Sequence, residues 1–226
     1  MTTGEALQEV SLFAGLSDDD RNGLAQRLRR RRYPRGETLF LHGDPGSFLY
    51  VIERGRVKIA LSSAEGKEMI LAQLGPGDFF GELALLDGGE RSADAVVVEE
   101  AELWLLGRED FLHFVESRPR VALHALAVLS RRLRQTDQLV HDAAFFDVPG
   151  RLANAILRLG ESLGHSVDGC TTISRRLTQL ELAEMIGSSR ESVNKWLSFY
   201  QRQGLIRVQH GLIAIVDPEG LRSRAY

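Results

Sequence analysis

The spacing of hydrophobic positions changes along the chain, and each change predicts a different kind of element. Ser17 and Asp20 begin a short amphipathic stretch that puts Leu24 and Leu28 on one face, as in a helix. From residue 33 to about residue 105, the apolar runs become short and are separated by glycine-containing turns. Several short strands at roughly 8–12-residue spacing are typical of a β-sandwich, jelly roll or barrel. We therefore predict a short helix followed by a β-rich segment.

Helical spacing returns after Arg108. A short helix that ends near Pro119 is followed by a longer helix that reaches about Ala144. Six positions of the longer helix step alternately by three and four residues: Leu126, Leu129, Leu133, Thr136, Val140 and Ala143. This heptad pattern predicts pairing with a second copy of the helix, so we expect a homodimer. The alternative is a helix packed on its own domain, but the stripe is narrow and is flanked by Arg131 and Arg132, which favours the dimer.

The segment of residues 145–150 breaks the long helix. Asp147 is placed to cap the next helix, with Pro149 in the first turn, where a missing N–H costs nothing. We place a domain boundary there and expect a helix over residues 151–163, then a loop containing Cys170, two short helices and a hairpin. The predicted divisions of the chain are residues 1–118, 119–146 and 147–226.

Two short helices joined by a glycine turn are predicted in the C-terminal part. Thr178 and Glu181 have the spacing of a capping box, which marks the start of the first helix. Gly187 suits a tight turn with positive φ. Ser188 and Glu191 predict a second capping box at the start of the second helix. This arrangement is a helix-turn-helix.

The start of the second helix carries the side chains that suit base edges in a DNA major groove. Arg190 and Lys195 can donate to guanine O6 and N7, and Glu191 can accept from cytosine N4. Two strands follow over residues 205–215 as a wing, where Arg207 and His210 are candidate phosphate contacts. Taken singly, Glu191 could be a capping residue and the two cations a solvated face, but the whole block is more specific. The predicted DNA-binding residues are Ser189, Arg190, Glu191 and Lys195.

A second cluster, residues 79–93, has features of a phosphate site. Gly81 allows backbone to approach a ligand, and the following residues can form one helical turn whose N–H groups suit a phosphate. Arg91 and Ser92 follow a glycine turn and supply a guanidinium and a hydroxyl. Glu82 is unexpected beside an anion unless it accepts from hydroxyl groups such as those of a ribose. Without other support, an Arg-Ser pair after such a turn is more often part of a surface loop.

Charge is distributed unevenly over the 226 residues, whose formal net charge is -3. From Val148 onward there are ten basic and seven acidic residues, and the first 147 residues hold the remaining 18 basic and 24 acidic ones. The C-terminal part is therefore the expected partner of a polyanion. The run Arg29–Arg32 resembles a nucleic-acid patch, but we interpret it as the solvated end of a helix entering a strand.

The composition excludes several classes of protein. The chain lacks both a run of about 18 apolar residues and an N-terminal signal pattern, so we predict a cytoplasmic protein without a membrane span. A single cysteine, Cys170, excludes an intrachain disulfide and a cluster held by several thiolates. We find no metal-ligand cluster, nucleophile elbow or Walker loop, so an enzyme has little support and we expect no bound metal.

Together, these motifs and their order resemble those of the cyclic-AMP receptor protein/FNR (CRP/FNR) family of bacterial transcription regulators, over essentially the whole chain. The matching segments are Gly81-Glu82-Leu83 with Arg91-Ser92-Ala93, Phe146-Asp147-Val148 with Gly150-Arg151, and Ser189-Arg190-Glu191-Ser192-Val193. The resemblance implies an α+β fold. Its parts would be an N-terminal β-roll (jelly-roll-like) cyclic-nucleotide-binding domain, a long dimerisation helix and a C-terminal winged helix-turn-helix.

The resemblance also implies ligands, partners and residue roles. The effector would be cyclic AMP, and the partners would be a palindromic DNA operator with TGTGA-like half-sites and RNA polymerase. Glu82 would bind the ribose 2′-hydroxyl, Arg91 and Ser92 the cyclic phosphate, and Thr136 the adenine amine, with Asp137 reaching over from the second subunit. The residues implied in ligand binding are Gly81, Glu82, Leu83, Ala84, Arg91, Ser92, Ala93, Thr136 and Asp137.

Two departures from the family pattern leave alternatives open. Asp137 stands where the best-known member has serine, and a carboxylate can accept from adenine or from the N1–H and N2 donors of guanine. Lys195 stands where that member has arginine, and lysine lacks the bidentate fork. A family member with another effector, or one active without ligand, therefore remains an alternative. A cyclic-nucleotide module that regulates an enzyme would not need the helix-turn-helix.

Overall fold

The computed structural model describes residues 7–8, 10–13, 16–167 and 170–224. These residues form two compact units. The first unit comprises the described residues up to Ser62 together with Leu71–Arg134. The second unit comprises Ser63–Ile70 and the described residues from Gln135 onward.

The first unit is built on the β-rich segment that the sequence predicts. Its sheet has the strand order β1-β6-β3-β4, with β2 on β6 and β5 on β3. β6 pairs antiparallel with β1, β2 and β3, and Val57 opposite Val97 shows the register of the longest pair. The strands are β1 Arg29–Tyr33, β2 Thr38–Phe40, β3 Phe48–Ser62, β4 Glu68–Leu74, β5 Phe79–Phe80 and β6 Asp94–Gly107.

Over the described residues, the elements outside the sheet are the 3-10 turn Ser11–Phe13 and the helices α1 Asp18–Ala25, α2 Leu83–Asp87, α3 Arg108–Ser117 and α4 Pro119–Phe145, of which α4 continues into the second unit. Ser17 caps α1 by accepting from the N–H of Asp20, as its sequence spacing predicts. The core buries the side chains of Leu49, Phe79 and Phe111 completely. This packing holds the short β5–α2 connection against the sheet.

The run Arg29–Arg32 is not the end of a helix, so our interpretation of it was wrong. α1 ends at Ala25, and the four arginines form β1, with Arg29 opposite Leu105. The Nε atom of Arg30 lies 2.6 Å from Glu53, and its guanidinium also bonds Glu102. Arg32 pairs with Glu100. All four arginines are exposed, and Arg30 and Arg32, which share one face of the strand, contact carboxylates on β3 and β6.

The second unit contains a helical core and a four-stranded sheet of order β7-β8-β10-β9. Asp147 caps α5 by accepting from the N–H of Gly150, and Pro149 lies in the first turn, so this prediction is confirmed. The loop predicted around Cys170 is instead part of the pair β7–β8. The elements are α5 Val148–Leu163, β7 Gly164–Val167, β8 Cys170–Ile173, α6 Gln179–Ile186, α7 Arg190–Arg202, β9 Ile206–Gln209, β10 Leu212–Ile215 and α8 Pro218–Arg222.

The long helix α4 has 27 residues and carries an apolar stripe on its surface. Leu126, Leu133 and Val140, spaced by seven residues, are 58%, 62% and 63% exposed. This spacing keeps side chains on one face of a supercoiled helix. In the described part of the chain, no helix is both long and apolar enough to cross a membrane.

Candidate functional site

The cluster predicted to bind phosphate is a compact cradle in the first unit, formed where β5 leads into α2 and where the chain returns to β6. Gly81 has a φ of +82°, a conformation that side-chain-bearing residues rarely adopt. A Cβ atom there would lie 2.5 Å from Nη1 of Arg91 and 3.2 Å from the carbonyl oxygen of Phe48. Gly81 therefore lets the backbone approach the Arg91 guanidinium.

Arg91 is almost completely buried in this cradle, with 4% of its surface exposed. Nη1 donates to the carbonyl oxygen of Gly81 at 2.7 Å, and Nη2 donates to that of Phe48 at 2.9 Å. The guanidinium carbon lies 4.2 Å from the centre of the Phe40 ring. Burial lowers the pKa of Arg91, while Tyr50 and the nearby carboxylates act in the opposite direction.

Within the described ranges, the guanidinium of Arg91 makes no direct ion pair. Its Nη1 and Nη2 hydrogen bonds both go to neutral carbonyl oxygens, and Nε has no hydrogen-bond partner among the described residues. A buried guanidinium is ordinarily paired with an anion, because leaving a charge in a low-dielectric environment is costly. The cradle therefore has the electrostatics of an anion site.

Glu82 lies beside this cation and is itself 2% exposed. Its Oε1 atom accepts from Nη1 of Arg132 at 2.8 Å, and Oε2 has no partner in the part of the chain that the structure describes. Oε2 is thus a buried acceptor that a ligand hydroxyl can satisfy. An anion site with a hydroxyl acceptor next to it matches a sugar phosphate.

Arg132 is a residue of this site that the sequence reasoning missed. It extends from α4, pairs with Glu82, donates to the carbonyl oxygen of Phe79 and lies over the Phe79 ring at 5.1 Å. In the sequence it was only a flank of the heptad stripe. Its position one helical turn before Thr136, a residue implied in ligand binding, was the signal that could have found it.

The other predicted ligand residues differ in their exposure. Ala84 and Ala93 are buried, Leu83 is 43% exposed and Ser92 is exposed. The N–H groups of residues 85 and 86 donate to the carbonyl oxygen of Glu82, so those of Leu83 and Ala84 come earlier, where a helix offers no internal acceptor.

The remaining two predicted ligand residues are on α4 in the second unit. Thr136 is half-buried and Asp137 is exposed, one turn after Arg132 along the helix. The cradle described above is formed by residues of the first unit alone. The roles implied for Thr136 and Asp137 stay predictions.

The predicted helix-turn-helix is present in the second unit, as α6 and α7. Thr178 and Glu181 form the capping box, with reciprocal hydrogen bonds at the start of α6. Burial acts to raise the pKa of Glu181, but the hydrogen bonds from Thr178 and the charge and hydrogen bond of Arg175 outweigh it and lower the pKa. Gly187, at φ +60°, ends α6 as expected.

The second predicted capping box is wrong by one residue. Ser189, not Ser188, is the N-cap of α7, and its hydroxyl accepts from the N–H of Ser192. The N–H of Ser188 instead donates to the carbonyl oxygen of Ala183 and closes the end of α6. Because the backbone N–H of Ser188 is part of the glycine-containing C-cap of α6, the N-cap of α7 falls one residue later, at Ser189.

The exposed face of α7 carries the predicted DNA-reading side chains. Arg190, Glu191 and Lys195 are exposed, whereas Val193 and Leu197 are buried against the core. Two hydrogen bonds lower the pKa of Glu191, one from its own backbone N–H and one from the Ser189 hydroxyl. The charge of Arg190 acts in the same direction. The cap residue Ser189 is exposed beside them. This is the surface that a major groove would meet.

Asn194 shares this face and was not among the predicted residues. It is exposed, and its Oδ1 atom accepts from Nε2 of Gln179, at the start of α6, at 2.9 Å. The wing follows as β9 and β10, joined by a two-residue turn in which His210 and Gly211 have φ of 51° and 79°. Arg207 and His210 are exposed on the wing.

Metal chemistry has no candidate site in the ranges that the structure describes, because no three histidine, cysteine, aspartate or glutamate side chains come together there.

Two family models match the chain. The cyclic nucleotide-binding domain matches residues 30–118, which include the whole cradle except Arg132. The Crp-like helix-turn-helix domain matches residues 150–224, which include α6, α7 and the wing.

Relatives match over nearly the full length. The CRP-like cAMP-activated global transcriptional regulator of Mycobacterium tuberculosis is 37% identical over 221 residues, which cover 98% of this chain and 99% of that protein. The catabolite activator protein of Thermus thermophilus has a solved structure with a TM-score of 0.54 and 36% identity, covering 95% and 98% of the two chains. The c-di-GMP-responsive regulator CLP of Xanthomonas campestris has a TM-score of 0.78 and 26% identity, covering 88% and 99%.

These matches confirm the predicted fold class and the family resemblance. The cradle lies in a cyclic nucleotide-binding domain, and α6 and α7 lie in a DNA-binding helix-turn-helix domain. The chain belongs to the CRP family of transcription regulators.

Proposed function

We propose that the chain is a cyclic-AMP-responsive regulator that binds a palindromic DNA operator as a homodimer in the cytoplasm. The assignment of this effector depends on the buried guanidinium of Arg91, whose Nε atom has no partner among the described residues. The cyclic phosphate would supply the missing anion. In this assignment residues 1–118 sense the ligand, residues 119–146 form the dimerisation helix and residues 147–226 bind DNA.

The phosphate and the ribose of the nucleotide would each have a complementary group in the cradle. Arg91 and the Ser92 hydroxyl would bind the cyclic phosphate, helped by the backbone at Leu83 and Ala84. The Oε2 atom of Glu82, which has no hydrogen-bond partner among the described residues, would accept from the ribose 2′-hydroxyl. Gly81 lets the backbone approach the Arg91 guanidinium, and the backbone at Ala93 would help to hold the phosphate. Arg132 would hold Glu82 in place through its ion pair.

Thr136 and Asp137 are the proposed readers of the base. Thr136 would contact the adenine amine. Asp137 of the partner subunit would reach the base across the paired α4 helices. The name of the M. tuberculosis relative describes it as cAMP-activated, which supports adenine. A carboxylate at Asp137 also suits guanine, so a regulator of this family with another nucleotide effector is the second candidate. The c-di-GMP-responsive protein of X. campestris is a relative of that kind.

The proposed dimer rests on the apolar stripe of α4. Leu126, Leu133 and Val140 are more than half exposed at seven-residue intervals, and pairing with the same stripe of a second chain would bury them. A two-fold dimer presents two copies of α7, which meet successive major grooves when they are about 34–36 Å apart. Arg190, Glu191 and Lys195 would read TGTGA-like half-sites, and Ser189 would contact the backbone. RNA polymerase is the proposed downstream partner.

The effector is tested by calorimetric titration of the purified protein with cyclic AMP, cyclic GMP and cyclic di-GMP. We expect micromolar binding of cyclic AMP at one site per chain. Arg91→Gln should weaken that binding by roughly 30-fold or more, because a buried charge-assisted contact is worth about 2–5 kcal/mol. The exposed Arg35→Gln is the matched control and should bind as the wild type does.

The same preparations then test DNA binding, by fluorescence anisotropy on a labelled palindromic operator with and without each nucleotide. We expect cyclic AMP to tighten binding of the wild type and not of Arg91→Gln. Preference for cyclic GMP would favour the second candidate. Operator binding that no nucleotide changes would contradict the ligand-responsive mechanism and leave a constitutive DNA-binding protein.

A further inference from the structure

Two uncharged amide side chains meet beside the cations of the DNA-reading surface. Asn194 lies on α7, four residues after Arg190 and next to Lys195, so the helical repeat puts all three on the exposed face. Gln179 is the first residue of α6 and is half-buried. Its Nε2 atom donates to Oδ1 of Asn194 at 2.9 Å, which joins the two helices of the motif at their outer surface.

This bond adds little to stability and has a strong effect on orientation. A hydrogen bond between exposed groups replaces bonds to water, so its net contribution is small. An asparagine amide, however, carries an acceptor on one side and two donors on the other. Because Gln179 donates to Oδ1, the acceptor is turned toward α6 and the Nδ2 donors are left for an outside partner.

The orientation of the Asn194 amide determines which base edges it can contact. In the major groove, guanine, adenine and thymine each present an acceptor, whereas cytosine presents only its N4 amino donor. An asparagine with both groups available forms a bidentate pair with adenine. An asparagine held as a donor contacts any of the three bases with an acceptor and leaves cytosine N4 facing another donor.

We propose that Asn194 is a base-reading residue that selects against cytosine at one position of each half-site, and that Gln179 is the positioning residue that orients its amide. This inference rests on the proposed function, because it requires α7 to enter the major groove. It adds a fourth reader to Arg190, Glu191 and Lys195. Unlike them, Asn194 would be specific only while its neighbour on α6 donates to it.

Reversal of the amide is the sharpest test. In Gln179→Glu the new carboxylate has no donor, so Nδ2 of Asn194 would turn toward it and Oδ1 would face the groove. Asn194→Asp places an acceptor in the groove directly. Both substitutions should convert discrimination against cytosine into preference for bases with an amino donor, cytosine or adenine. One variant changes the donor residue of the Gln179–Asn194 hydrogen bond and the other changes the acceptor residue, yet both should produce the same base preference.

The experiment uses the full-length protein with cyclic AMP and a pool of duplexes with randomised half-sites, sequenced after selection for binding. We expect the wild type to deplete cytosine roughly 3- to 10-fold at one position, the range for a single hydrogen bond of this kind. Asn194→Ala should flatten that position alone. Gln179→Glu and Asn194→Asp should enrich cytosine or adenine there. Gln203→Glu, the same change at an exposed residue beyond the end of α7, is the control and should keep the wild-type profile.

The outcomes separate this inference from the function on which it rests. If the wild type enriches no sequence, sequence-specific DNA binding fails and the inference fails with it. If the wild type is specific but Gln179→Glu keeps its profile, the inference alone is overturned. A loss of affinity by Asn194→Ala that is equal for every sequence would also overturn it, because that result identifies a phosphate contact. Thermal unfolding of each variant, expected within about 2 °C of the wild type, checks that the fold is intact.

Discussion

The ion pair of Glu82 with Arg132 gives a quantitative prediction for the variant Arg132→Ala. The Glu82 carboxylate is 2% exposed, so it cannot exchange its lost partner for bulk water. Removing one member of a buried pair costs about 3–5 kcal/mol when the remaining charge has no other compensation. Here Arg91 still attracts Glu82 and offsets part of that cost. The Arg132 side chain is 23% exposed, so solvent already screens part of the attraction. We therefore expect the free energy of unfolding of the first unit to fall by about 2–3 kcal/mol.

The measurement must report on the first unit alone, and the positions of the two tryptophans allow this. Trp104 is buried in the first unit and Trp196 lies on α7 in the second. In a Trp196→Phe background, urea unfolding followed by fluorescence reports the environment of Trp104. With a urea m-value of about 2–3 kcal/mol/M, the predicted loss moves the midpoint down by about 1 M.

A matched control is available on the neighbouring position of α4. Arg131 is exposed, so Arg131→Ala removes the same side chain with an expected change within about 0.5 kcal/mol. Glu82→Gln completes a double-mutant cycle, whose coupling energy we expect to be at least about 1.5 kcal/mol. A loss for Arg132→Ala no larger than that for Arg131→Ala would refute the reasoning, and so would a coupling energy near zero.

Two further predictions concern the two functional regions. Gly81→Ala forces a side chain onto a positive φ and against Arg91, so it should weaken nucleotide binding and lower the thermal midpoint. Gly66→Ala is the control, because Gly66 has a φ of +76° but a Cβ atom added there would meet no atom within 4 Å. Equal effects of the two substitutions in calorimetry and thermal unfolding would contradict this prediction. Hydrogen bonds lower the pKa of Glu181 in the folded state, so its stabilisation is fully present above its ordinary pKa of 4.5 and is lost as the pH falls through the lowered value. Glu181→Gln keeps an acceptor for Thr178 but removes the charge, so it should destabilise by about 1 kcal/mol at pH 7 and progressively less at pH 4 and below, as measured by denaturant unfolding. A pH-independent difference would show that the charge of Glu181 adds nothing to its bonds with Thr178 and Arg175.

Features encoded by a few adjacent residues were predictable from the sequence. The capping box of Thr178 with Glu181 and the cap by Asp147 depend on side chains within three residues of the helix start, and both are present. The heptad positions of α4 likewise follow from the spacing of apolar residues alone. The Ser188 capping box was wrong because two overlapping local signals compete there, and the C-cap at Gly187 determines which one is used.

Features that depend on contacts between distant segments were not predictable. Arg132 is 50 residues from Glu82 in the sequence, and only the docking of α4 against β5 brings their side chains together. Gln179 and Asn194 are 15 residues apart on different helices, and the angle of the helix-turn-helix decides whether their amides meet. Neither pair has a local signature, since any polar residue on a helix surface is compatible with the hydrophobic pattern.

The arginine strand β1 has a consequence for the salt dependence of DNA binding. A phosphate contact releases condensed counter-ions from DNA, and each one contributes about -0.9 to the slope of log K against log salt concentration. Arg30 and Arg32 are ion-paired with Glu53, Glu100 and Glu102, so a phosphate would have to displace those carboxylates to use their charge. The slope should therefore count only the phosphate contacts of the winged helix, and replacing Arg30 and Arg32 by alanine should leave it unchanged.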